Sequence, residues 1–157
     1  MVSQEQEVKI IDCKPIHYEN FKKLNYEWIE KDFVIEDLDR KVLENPEDYI
    51  LKQGGAIFMA EYDGKIVGTC ALIKISNDIY ELAKMAVTDK AKGKKIGYLL
   101  GKAIIKKAKE LNAKKVELVS NTKLEPALNL YRKLGFIEVP IPHTDYKRAN
   151  IKMEIEL

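Results

Sequence analysis

The amino-acid sequence predicts a single α/β domain with a mixed sheet, and three observations support this prediction. The chain has 157 residues, the size of one ordinary domain, and no repeat, long linker or low-complexity stretch divides it. Residues 56–87 alternate apolar segments with tight-turn pairs, a pattern typical of an antiparallel β-meander. From residue 88 onward helical and strand patterns alternate, which favours a parallel crossover. We therefore assign residues 1–157 to one domain and expect residues 1–7 to be loose.

The residues before the meander predict one strand and two helices. The strand is Val8–Cys13, which follows a polar N-terminal stretch. The first helix runs from Tyr18 to Phe33, because apolar side chains recur there at intervals of three and four. The second helix runs from Glu36 to Leu43 and ends before Pro46, since a residue that precedes proline avoids the helical conformation.

Three strands make up the predicted meander. Ala56–Tyr62 and Lys65–Ser76 flank Asp63-Gly64, and Asp-Gly between apolar runs favours a hairpin because its tight turn needs positive φ. Asn77-Asp78 is a weaker turn signal that leads into the third strand, Ile79–Val87.

The second half of the chain predicts two helices and three further strands. The apolar face of an amphipathic helix is formed by Ile96, Leu99, Leu100, Ala103, Ile104, Ala108 and Leu111. A shorter helix, Ala127–Leu134, ends at Gly135, which suits the left-handed backbone found after many helices. The predicted strands of this half are Val116–Val119, Phe136–Val139 and Ile151–Leu157. The sheet would then hold six to seven strands with about four flanking helices, antiparallel at one end and with one parallel crossover.

Composition and charge exclude several classes of protein. With 46% hydrophobic and 33% charged residues the chain is globular, and its net charge of +2 argues against a protein that coats nucleic acid. Cys13 and Cys70 are too few for a disulfide framework and are interpreted as buried free thiols. His17 and His143 lie far apart in sequence, so no metal is expected. The N-terminus has no apolar signal segment and the longest uncharged apolar run, Ile66–Ile73, is too short to span a bilayer, so we expect a cytoplasmic protein with no membrane partner.

Positive charge is concentrated in one segment. Residues 89–115 hold ten lysines and two acidic residues, a net charge of +8, so the rest of the chain carries −6. The stretch VTDKAKGKKIGYLL (Val87–Leu100) overlaps the start of this segment and predicts a strand end, a loop containing Gly93 and a helix start. Backbone N–H groups and the positive end of a helix converge in such a unit, which suits a phosphate group. The spacing fits neither a nucleotide P-loop nor a dinucleotide-binding fingerprint, and from these residues alone a plain turn with solvated lysines is equally open.

The same segment resembles the coenzyme A loop of the GNAT acetyltransferase superfamily, whose pattern is V-x-P-x-x-[QR]-x-x-G-x-[GA]. Val87 matches the valine, Gly97 matches the last glycine, and Gly93-Lys94 match a frequent Gly-Lys pair inside the motif. Three positions depart from the pattern: Asp89 stands in place of proline, Lys92 in place of glutamine or arginine, and Lys95 in place of the middle glycine.

A second marker is ALNLYRKLGF, Ala127–Phe136, which resembles the family's A-x-x-L-Y-x-x-x-G-F signature with Tyr131 and Gly135 in register. Leu124 replaces the asparagine that commonly precedes this signature, and Asn121 lies close enough to substitute for it. The segments ELAKMAV, SNTKLEPALNLYRKLGF and YKRANIKM further resemble the acetyltransferase half of MarR–GNAT fusion proteins. The resemblance covers nearly the whole chain and implies the GNAT acyl-CoA N-acyltransferase fold.

The function implied by the resemblance is N-acetyltransfer. An acetyl group would pass directly from acetyl-CoA to a primary amine of a small-molecule or amino-acid-like acceptor, with a protein N-terminus or lysine as a variant. The alternative is a non-catalytic coenzyme-A-binding sensor or interaction module, which the loop departures motivate. The lysine-rich helix lacks interleaved aromatic residues and a recognition motif, so no nucleic-acid partner is expected. Exposed strand edges make a homodimer a further expectation.

Acetyl-CoA is the co-substrate that the resemblance implies. Its pantetheine arm would bind backbone groups at the end of the third meander strand as an added strand, and its phosphates would bind the glycine-containing loop. The predicted cofactor-binding residues are Met85, Ala86, Val87, Lys92, Gly93, Lys94, Lys95, Ile96, Gly97, Tyr98 and Asn121.

Glu81 and Tyr131 are the predicted catalytic residues. Glu81 lies six residues before Val87, where several family members carry a catalytic glutamate, and an apolar strand face would raise its pKa toward that of a useful base. The alternative is an exposed glutamate with an ordered water as the base. Tyr131 matches the family's tyrosine that protonates or hydrogen-bonds the coenzyme A sulfur. The alternative is a tyrosine that only packs in the core. Lys84 lies on the opposite face of the strand and is expected to be solvated.

Acceptor residues are harder to predict from sequence. Trp28 and Phe33 could line an acceptor pocket, with ordinary core packing as the alternative. Arg148 could pair with a substrate carboxylate, with an exposed surface arginine as the alternative.

Overall fold

The computed structural model describes residues 7–91, 93–141 and 144–157. Its strands are β1 (Lys9–Asp12), β2 (Ala56–Tyr62), β3 (Lys65–Lys74), β4 (Ile79–Val87), β5 (Lys115–Ser120), β6 (Ile137–Val139) and β7 (Ile151–Glu156). They form one seven-stranded sheet in the order β1-β2-β3-β4-β5-β7-β6. Only the pairing of β4 with β5 is parallel among the described strands. The predicted mixed sheet, antiparallel at one end and with one parallel crossover, is confirmed.

Four α-helices flank the sheet within the described residues: α1 (Tyr18–Asp32), α2 (Asp37–Glu44), α3 (Ile96–Glu110) and α4 (Glu125–Leu134). They divide between the two faces, as β3 shows. Ala71 belongs to the core formed with α1 and α2, whereas its neighbours Cys70 and Leu72 belong to the core formed with α3 and α4. Successive side chains of a strand point to opposite faces, so one strand serves both cores.

Element boundaries differ from the sequence predictions in small ways. β3 ends at Lys74 rather than Ser76, and α4 begins at Glu125, with Pro126 in the first turn where its missing N–H costs no hydrogen bond. Short turns of helix that the sequence did not predict occupy Pro15–His17, Glu47–Leu51 and Asp89–Ala91. Both cysteines are free, but only Cys70 is buried and Cys13 is half-buried.

The parallel strands β4 and β5 separate early. Their register holds only for Ile79 with Lys115, Tyr80 with Val116 and Glu81 with Glu117. Beyond these pairs β4 continues to Val87 and β5 to Ser120 without pairing to each other. The separation leaves backbone groups of β4 without a strand partner on that side, and it opens a cleft between the two strands.

A β-bulge lies in β4 where the cleft begins. Ala83 pairs with Ala71 and Ala86 pairs with Thr69, so Lys84 and Met85 together lie opposite Cys70. Lys84 has a φ of 56°, in the left-handed region that lysine rarely adopts. Such a bulge bends the strand and redirects the side chain at the extra residue.

Two glycines allow α4 to lie close against α3. A Cβ on Gly97 would come 2.8 Å from Leu130 Cδ2, and one on Gly101 would come 2.4 Å from Leu134 Cδ1. Gly97, which the family motif assigns to cofactor binding, therefore also serves helix packing. In the part of the chain that the structure describes, every helix is too short or too polar to cross a membrane.

Candidate active site

A cavity of about 180 Å³ lies between β4 and β5 where they separate, and we call it the Glu81 cavity. It is lined by Trp28, Glu81, Leu82, Ala83, Lys84, Met85, Val119, Ser120, Asn121, Leu124, Ala127, Tyr131, Tyr146, Arg148 and Ala149. Both predicted catalytic residues are in this set, together with two of the three predicted acceptor residues. The fold therefore brings together side chains from α1, β4, β5, α4 and the segment before β7.

Glu81 lies at the last position where β4 pairs with β5. Burial raises the pKa of its carboxyl to about 7, Lys84 and Lys152 act against this shift, and Glu117 and Asp145 add to it. Near neutral pH such a carboxyl is part protonated and part ionised, so it can both take up and release a proton. The raised pKa expected for Glu81 is therefore present, with burial as its main cause.

Tyr131 reaches the cavity from α4 with 8% of its surface exposed. Its ring makes an edge-to-face contact with Phe136, with centroids 6.1 Å apart. Burial, and to a smaller extent the thiol of Cys70, raises the pKa of its phenol, so the hydroxyl keeps its proton at neutral pH. The structure shows no hydrogen bond from this hydroxyl to another described residue, which leaves it able to donate to a group inside the cavity.

A second, larger opening of about 870 Å³ lies beside the start of α3, and we call it the α3 cleft. Its lining includes Val87, Gly93, Lys94, Lys95, Ile96, Gly97 and Tyr98 from the predicted coenzyme A loop, and Pro126, Asn129, Leu130 and Lys133 from α4. The two openings are adjacent along β4, where Met85 lines the Glu81 cavity and Val87 lines the α3 cleft.

The N-terminus of α3 has the features of an anion site. Lys95 precedes the helix with φ 59°, and no side chain among the described residues caps the helix there. The first N–H groups of α3 have no partner within the helix and can donate to a ligand. Ile96 contributes only its backbone, because its side chain is buried in the core. Gly93 adopts φ 85°, and a Cβ at that position would meet nothing within 4 Å.

The remaining loop residues differ in their surroundings. Lys94 places its Nζ 4.5 Å from the centroid of the Tyr62 ring. Asp89, at the position where the family has proline, forms an ion pair with Lys31 of α1. Lys92 lies outside the described residues, so its predicted role stays a prediction.

Met85 and Ala86 follow the bulge in β4. Ala86 is buried and pairs with Thr69 of β3, whereas Met85 borders the Glu81 cavity. On the side of β5, neither residue has a strand partner. This edge is where an extended pantetheine arm could take the place of a strand.

Asn121 borders the Glu81 cavity, but its side chain forms hydrogen bonds within the protein. Its Nδ2 donates to the backbone oxygen of Arg148 at 2.6 Å, and its Oδ1 accepts from the backbone N–H of Lys123 at 2.8 Å. These bonds tie the end of β5 to the segment before β7. The amide therefore shapes the cavity wall, and its predicted contact with the cofactor stays a prediction.

Trp28 and Phe33 lie on neighbouring openings. Trp28 lines the Glu81 cavity, and its Nε1 donates to Asn25 Oδ1 at 3.0 Å. Phe33 lines an adjoining groove of about 630 Å³ formed by residues 33–38 and by Asp145, Lys147 and Arg148. The two rings meet edge to face with centroids 6.4 Å apart. The predicted roles of Trp28 and Phe33 in acceptor binding stay predictions.

Arg148 is neither an exposed surface residue nor a free cation. Its Nη1 donates to Asp39 Oδ2 at 2.7 Å and to Glu36 Oε2 at 3.3 Å, and its Nη2 donates to Asp39 Oδ1 at 2.6 Å. The guanidinium is thus held by two carboxylates of the protein. A substrate carboxylate would have to compete with them, and the pairing of Arg148 with a substrate stays a prediction.

The expectation that Lys84 is solvated is wrong. Its Nζ is buried and donates to Asp39 Oδ1 at 2.9 Å and to the Tyr146 hydroxyl at 2.8 Å. The bulge explains the difference, since simple alternation along β4 no longer decides the direction of this side chain. The sequence did carry one signal: Asp39 is spaced with Val42 and Leu43 on the buried face of α2, where an acidic residue requires a partner.

Comparison with known proteins identifies the family. A model of the acetyltransferase (GNAT) family matches residues 23–136. The uncharacterized N-acetyltransferase YjgM of Escherichia coli is 31% identical over 109 residues, which is 66% of this chain and 65% of that protein, so the match spans less than two thirds of its length. A GNAT family acetyltransferase from Staphylococcus aureus is 26% identical, with a TM-score of 0.87 over 96% of this chain and 99% of that one.

A more distant structure shares the fold. The GNAT family acetyltransferase from Elizabethkingia anophelis, solved with acetyl-CoA bound, is 23% identical with a TM-score of 0.69 over 96% of this chain and 98% of that one. The family match covers most of the chain and agrees with the sheet order and with both sequence motifs. The chain belongs to the acetyltransferase (GNAT) family.

Proposed function

We propose that the protein is an acetyl-CoA-dependent N-acetyltransferase that moves an acetyl group directly to a primary amine of a small-molecule or amino-acid-like acceptor. One observation carries this proposal: the unpaired edge of β4 runs from the Glu81 cavity, which Glu81 and Tyr131 line, to the start of α3. A carboxyl group and a phenol thus lie at one end of this edge, and the first N–H groups of a helix lie at the other. The family membership and the acetyl-CoA bound to the Elizabethkingia relative support the same assignment.

The residues present fit acetyl-CoA. The uncapped N–H groups of α3 and the side chains of Lys95 and Lys133 border the α3 cleft, where they would bind phosphate oxygens. The free edge of β4 at Met85–Val87 offers backbone groups to the amides of the pantetheine arm. Lys95 keeps the left-handed conformation that suits the family's glycine and adds a positive charge.

Acetyl-CoA would supply a thioester whose carbonyl carbon is attacked by the amine nitrogen. Glu81, ionised above its pKa of about 7, takes one proton from the ammonium form of the acceptor and leaves a neutral amine. The new N–C bond forms as the C–S bond breaks. Tyr131 donates its proton to the departing sulfur and is reprotonated by the second proton that the nitrogen loses. The products are an amide, a thiol and one proton that Glu81 releases to water.

The test measures thiol release from acetyl-CoA with a panel of primary amines. We expect turnover that depends on the amine and falls by about 10²- to 10⁴-fold in Glu81→Gln. Tyr131→Phe should lower kcat while coenzyme A binding, measured by calorimetry, is retained. Turnover that survives both substitutions would contradict the assigned roles.

The alternative function is a coenzyme-A-binding sensor or interaction module without catalysis. The departures at Asp89 and Lys95 motivate it, since both change the loop that holds the phosphates. Tight binding of coenzyme A with no turnover across the amine panel would favour this alternative. The homodimer, the cytoplasmic location and the narrower resemblance to MarR–GNAT fusion proteins stay predictions.

A further inference from the structure

A buried charge cluster joins three segments around the Glu81 cavity. It consists of Lys84 in the β4 bulge, Asp39 and Glu36 at the start of α2, and Tyr146 and Arg148 in the segment before β7. Asp39 is fully buried and accepts hydrogen bonds from both Lys84 and Arg148. Glu36 accepts from the backbone N–H of Lys147 at 2.9 Å as well as from the Arg148 guanidinium. The cluster thereby fastens α2 and residues 146–148 to the middle of β4.

Lys84 is the member of the cluster whose placement is least expected. It has a left-handed φ of 56°, although lysine has no intrinsic preference for that conformation. Strain of this kind persists where the surroundings hold the residue in place, and it occurs often at functional sites. Here the bulge directs the Lys84 ammonium between Asp39 and Tyr146, with its Nζ 4.4 Å from the centroid of the Tyr146 ring. Lys84, Tyr146 and Arg148 all line the same cavity as Glu81.

We propose that Lys84 is a positioning residue of the acceptor site: its ammonium fixes Tyr146 and the α2 end of the cavity wall, and it supplies positive charge to the cavity that Glu81 also lines. The positioning part of this inference stands on the cluster geometry, and its effect on turnover rests on the proposed function. Removal of the Lys84 ammonium is expected to raise the pKa of Glu81. Loss of a purely structural contact would instead expose the carboxyl group to water and lower that pKa.

Charged groups from every neighbouring element act on Glu81. Lys84 lies on its own strand, Glu117 on β5, Lys152 on β7 and Asp145 in the segment before β7. Glu117 and Lys152 form an ion pair at 3.1 Å and act on the pKa of Glu81 in opposite directions, with Glu117 the stronger of the two. Lys84 pairs with Asp39, and Arg148 pairs with both Asp39 and Glu36, so the four charges of the cluster sum to zero and loss of Lys84 leaves a net charge of −1. Loss of the Lys84 charge therefore removes the largest effect that lowers the pKa of Glu81, while burial and Asp145 continue to raise it.

The experiment measures the ionisation of Glu81 directly. The carboxyl ¹³C resonance of Glu81, assigned by its absence in Glu81→Gln, is titrated in the wild type and in Lys84→Met. The wild-type pKa should lie near 7. The variant pKa should be higher by about one unit, the effect of one nearby charge in a partly buried site. Lys84→Gly, which suits the left-handed φ and also lacks the ammonium, should show the same rise and serves if Lys84→Met does not fold.

A matched control removes an exposed lysine elsewhere. Lys65→Met in the β2–β3 hairpin makes the same change of net charge away from the cavity and should leave the Glu81 titration unchanged. The acid limb of kcat/KM against pH, measured with any accepted amine, should move to higher pH in Lys84→Met and Lys84→Gly but not in Lys65→Met.

The outcomes separate this inference from the proposed function. A Glu81 titration that moves by less than about 0.3 unit in both Lys84 variants would overturn the inference, even if turnover is normal. A rise of the expected size in a protein that acetylates no amine would support the electrostatic role of Lys84 and count against the proposed function. A rise that the Lys65→Met control reproduces would also overturn it, because the effect would then come from overall charge.

Discussion

Asp39 is the residue on which the buried charge cluster depends most, and Asp39→Asn tests that dependence. The carboxylate is fully buried and accepts from Lys84, from both terminal nitrogens of Arg148 and from the backbone N–H of Glu36 at 2.8 Å. Burial alone would raise its pKa, but the hydrogen bonds from Arg148 and Lys84 hold that pKa at about 2, below its ordinary value of 3.8. Asparagine keeps the shape and removes the charge.

The expected loss of stability follows from the lowered pKa of Asp39 and from the buried charges of Lys84 and Arg148, which would lose their carboxylate partner. A fall of the Asp39 pKa from 3.8 to about 2 corresponds to roughly 2 kcal/mol of stabilisation of the ionised form. The substitution also leaves the buried ammonium of Lys84 without its carboxylate, and breaking a buried ion pair in this way costs about 3–5 kcal/mol in all. We therefore expect Asp39→Asn to lower the free energy of unfolding at pH 7 by about 3–5 kcal/mol, and the melting temperature by about 10 °C.

The pH dependence has a definite sign. Because the folded pKa of Asp39 lies below its unfolded value, the stability that its charge contributes is complete above pH 4 and is lost as pH falls through about 2. Wild-type Asp39 becomes neutral in that range and then resembles asparagine. The difference between wild type and variant should thus shrink as pH is lowered.

Urea unfolding at pH 7, and at steps down to pH 2.5, measures this difference. The matched control is Asp37→Asn on the same helix, because the Asp37 side chain is 95% exposed and pairs only with Arg40 at 3.1 Å among the described residues. The control should stay within about 0.5 kcal/mol of wild type, as exposed ion pairs do. A cost of Asp39→Asn no larger than that of Asp37→Asn, or a cost that is the same at every pH, would show that the Asp39 charge does not stabilise the fold.

Three further predictions concern other parts of the fold. Gly101→Ala should change the free energy of urea unfolding by less than about 1 kcal/mol, because its Cβ would overlap only the end of the flexible Leu134 side chain and alanine is favoured over glycine inside a helix by about 1 kcal/mol. Lys95→Val should destabilise the protein by about 1–3 kcal/mol in thermal unfolding while Lys95→Gly does not, since a β-branched residue tolerates φ 59° poorly. Glu81→Gln should be more stable than wild type at pH 8 but not at pH 4, because burial raises the folded pKa to about 7 and wild type loses stability as pH rises through that value.

Local sequence patterns predicted most of the fold. The Asp63-Gly64 hairpin, the alternating strands and the period of α3 are short-range features, and each appears where the sequence placed it. The sequence also carried two segments that resemble family motifs, the loop before α3 and the Tyr131 signature, because each is a continuous segment whose residue types and spacing form the pattern. The apolar strand face around Glu81 also predicted that its pKa would be raised.

The surroundings of Lys84, Asp39 and Arg148 were not predictable in the same way. A β-bulge at Lys84 overrides the alternation that assigned the side chain to solvent. Asp39 and Arg148 are 109 residues apart, and only the packing of α2 against the segment before β7 brings them together. No local pattern indicates such a contact. Asp39 on the apolar face of α2 did indicate that a buried carboxylate needed a partner, but not which residue it was.

The chain alone is enough to predict the order of the strands and α-helices, the concentration of positive charge beside the start of α3 and the family to which its motifs point. Periodicity, turn chemistry and charge act between near neighbours, so they can be read from the chain. The folded molecule is needed to see how far β4 and β5 stay paired, which face of β4 Lys84 occupies and whether Arg148 is free. Each of these depends on which distant carboxylates, strands and helices come into contact, and burial makes those contacts strong enough to override the local pattern.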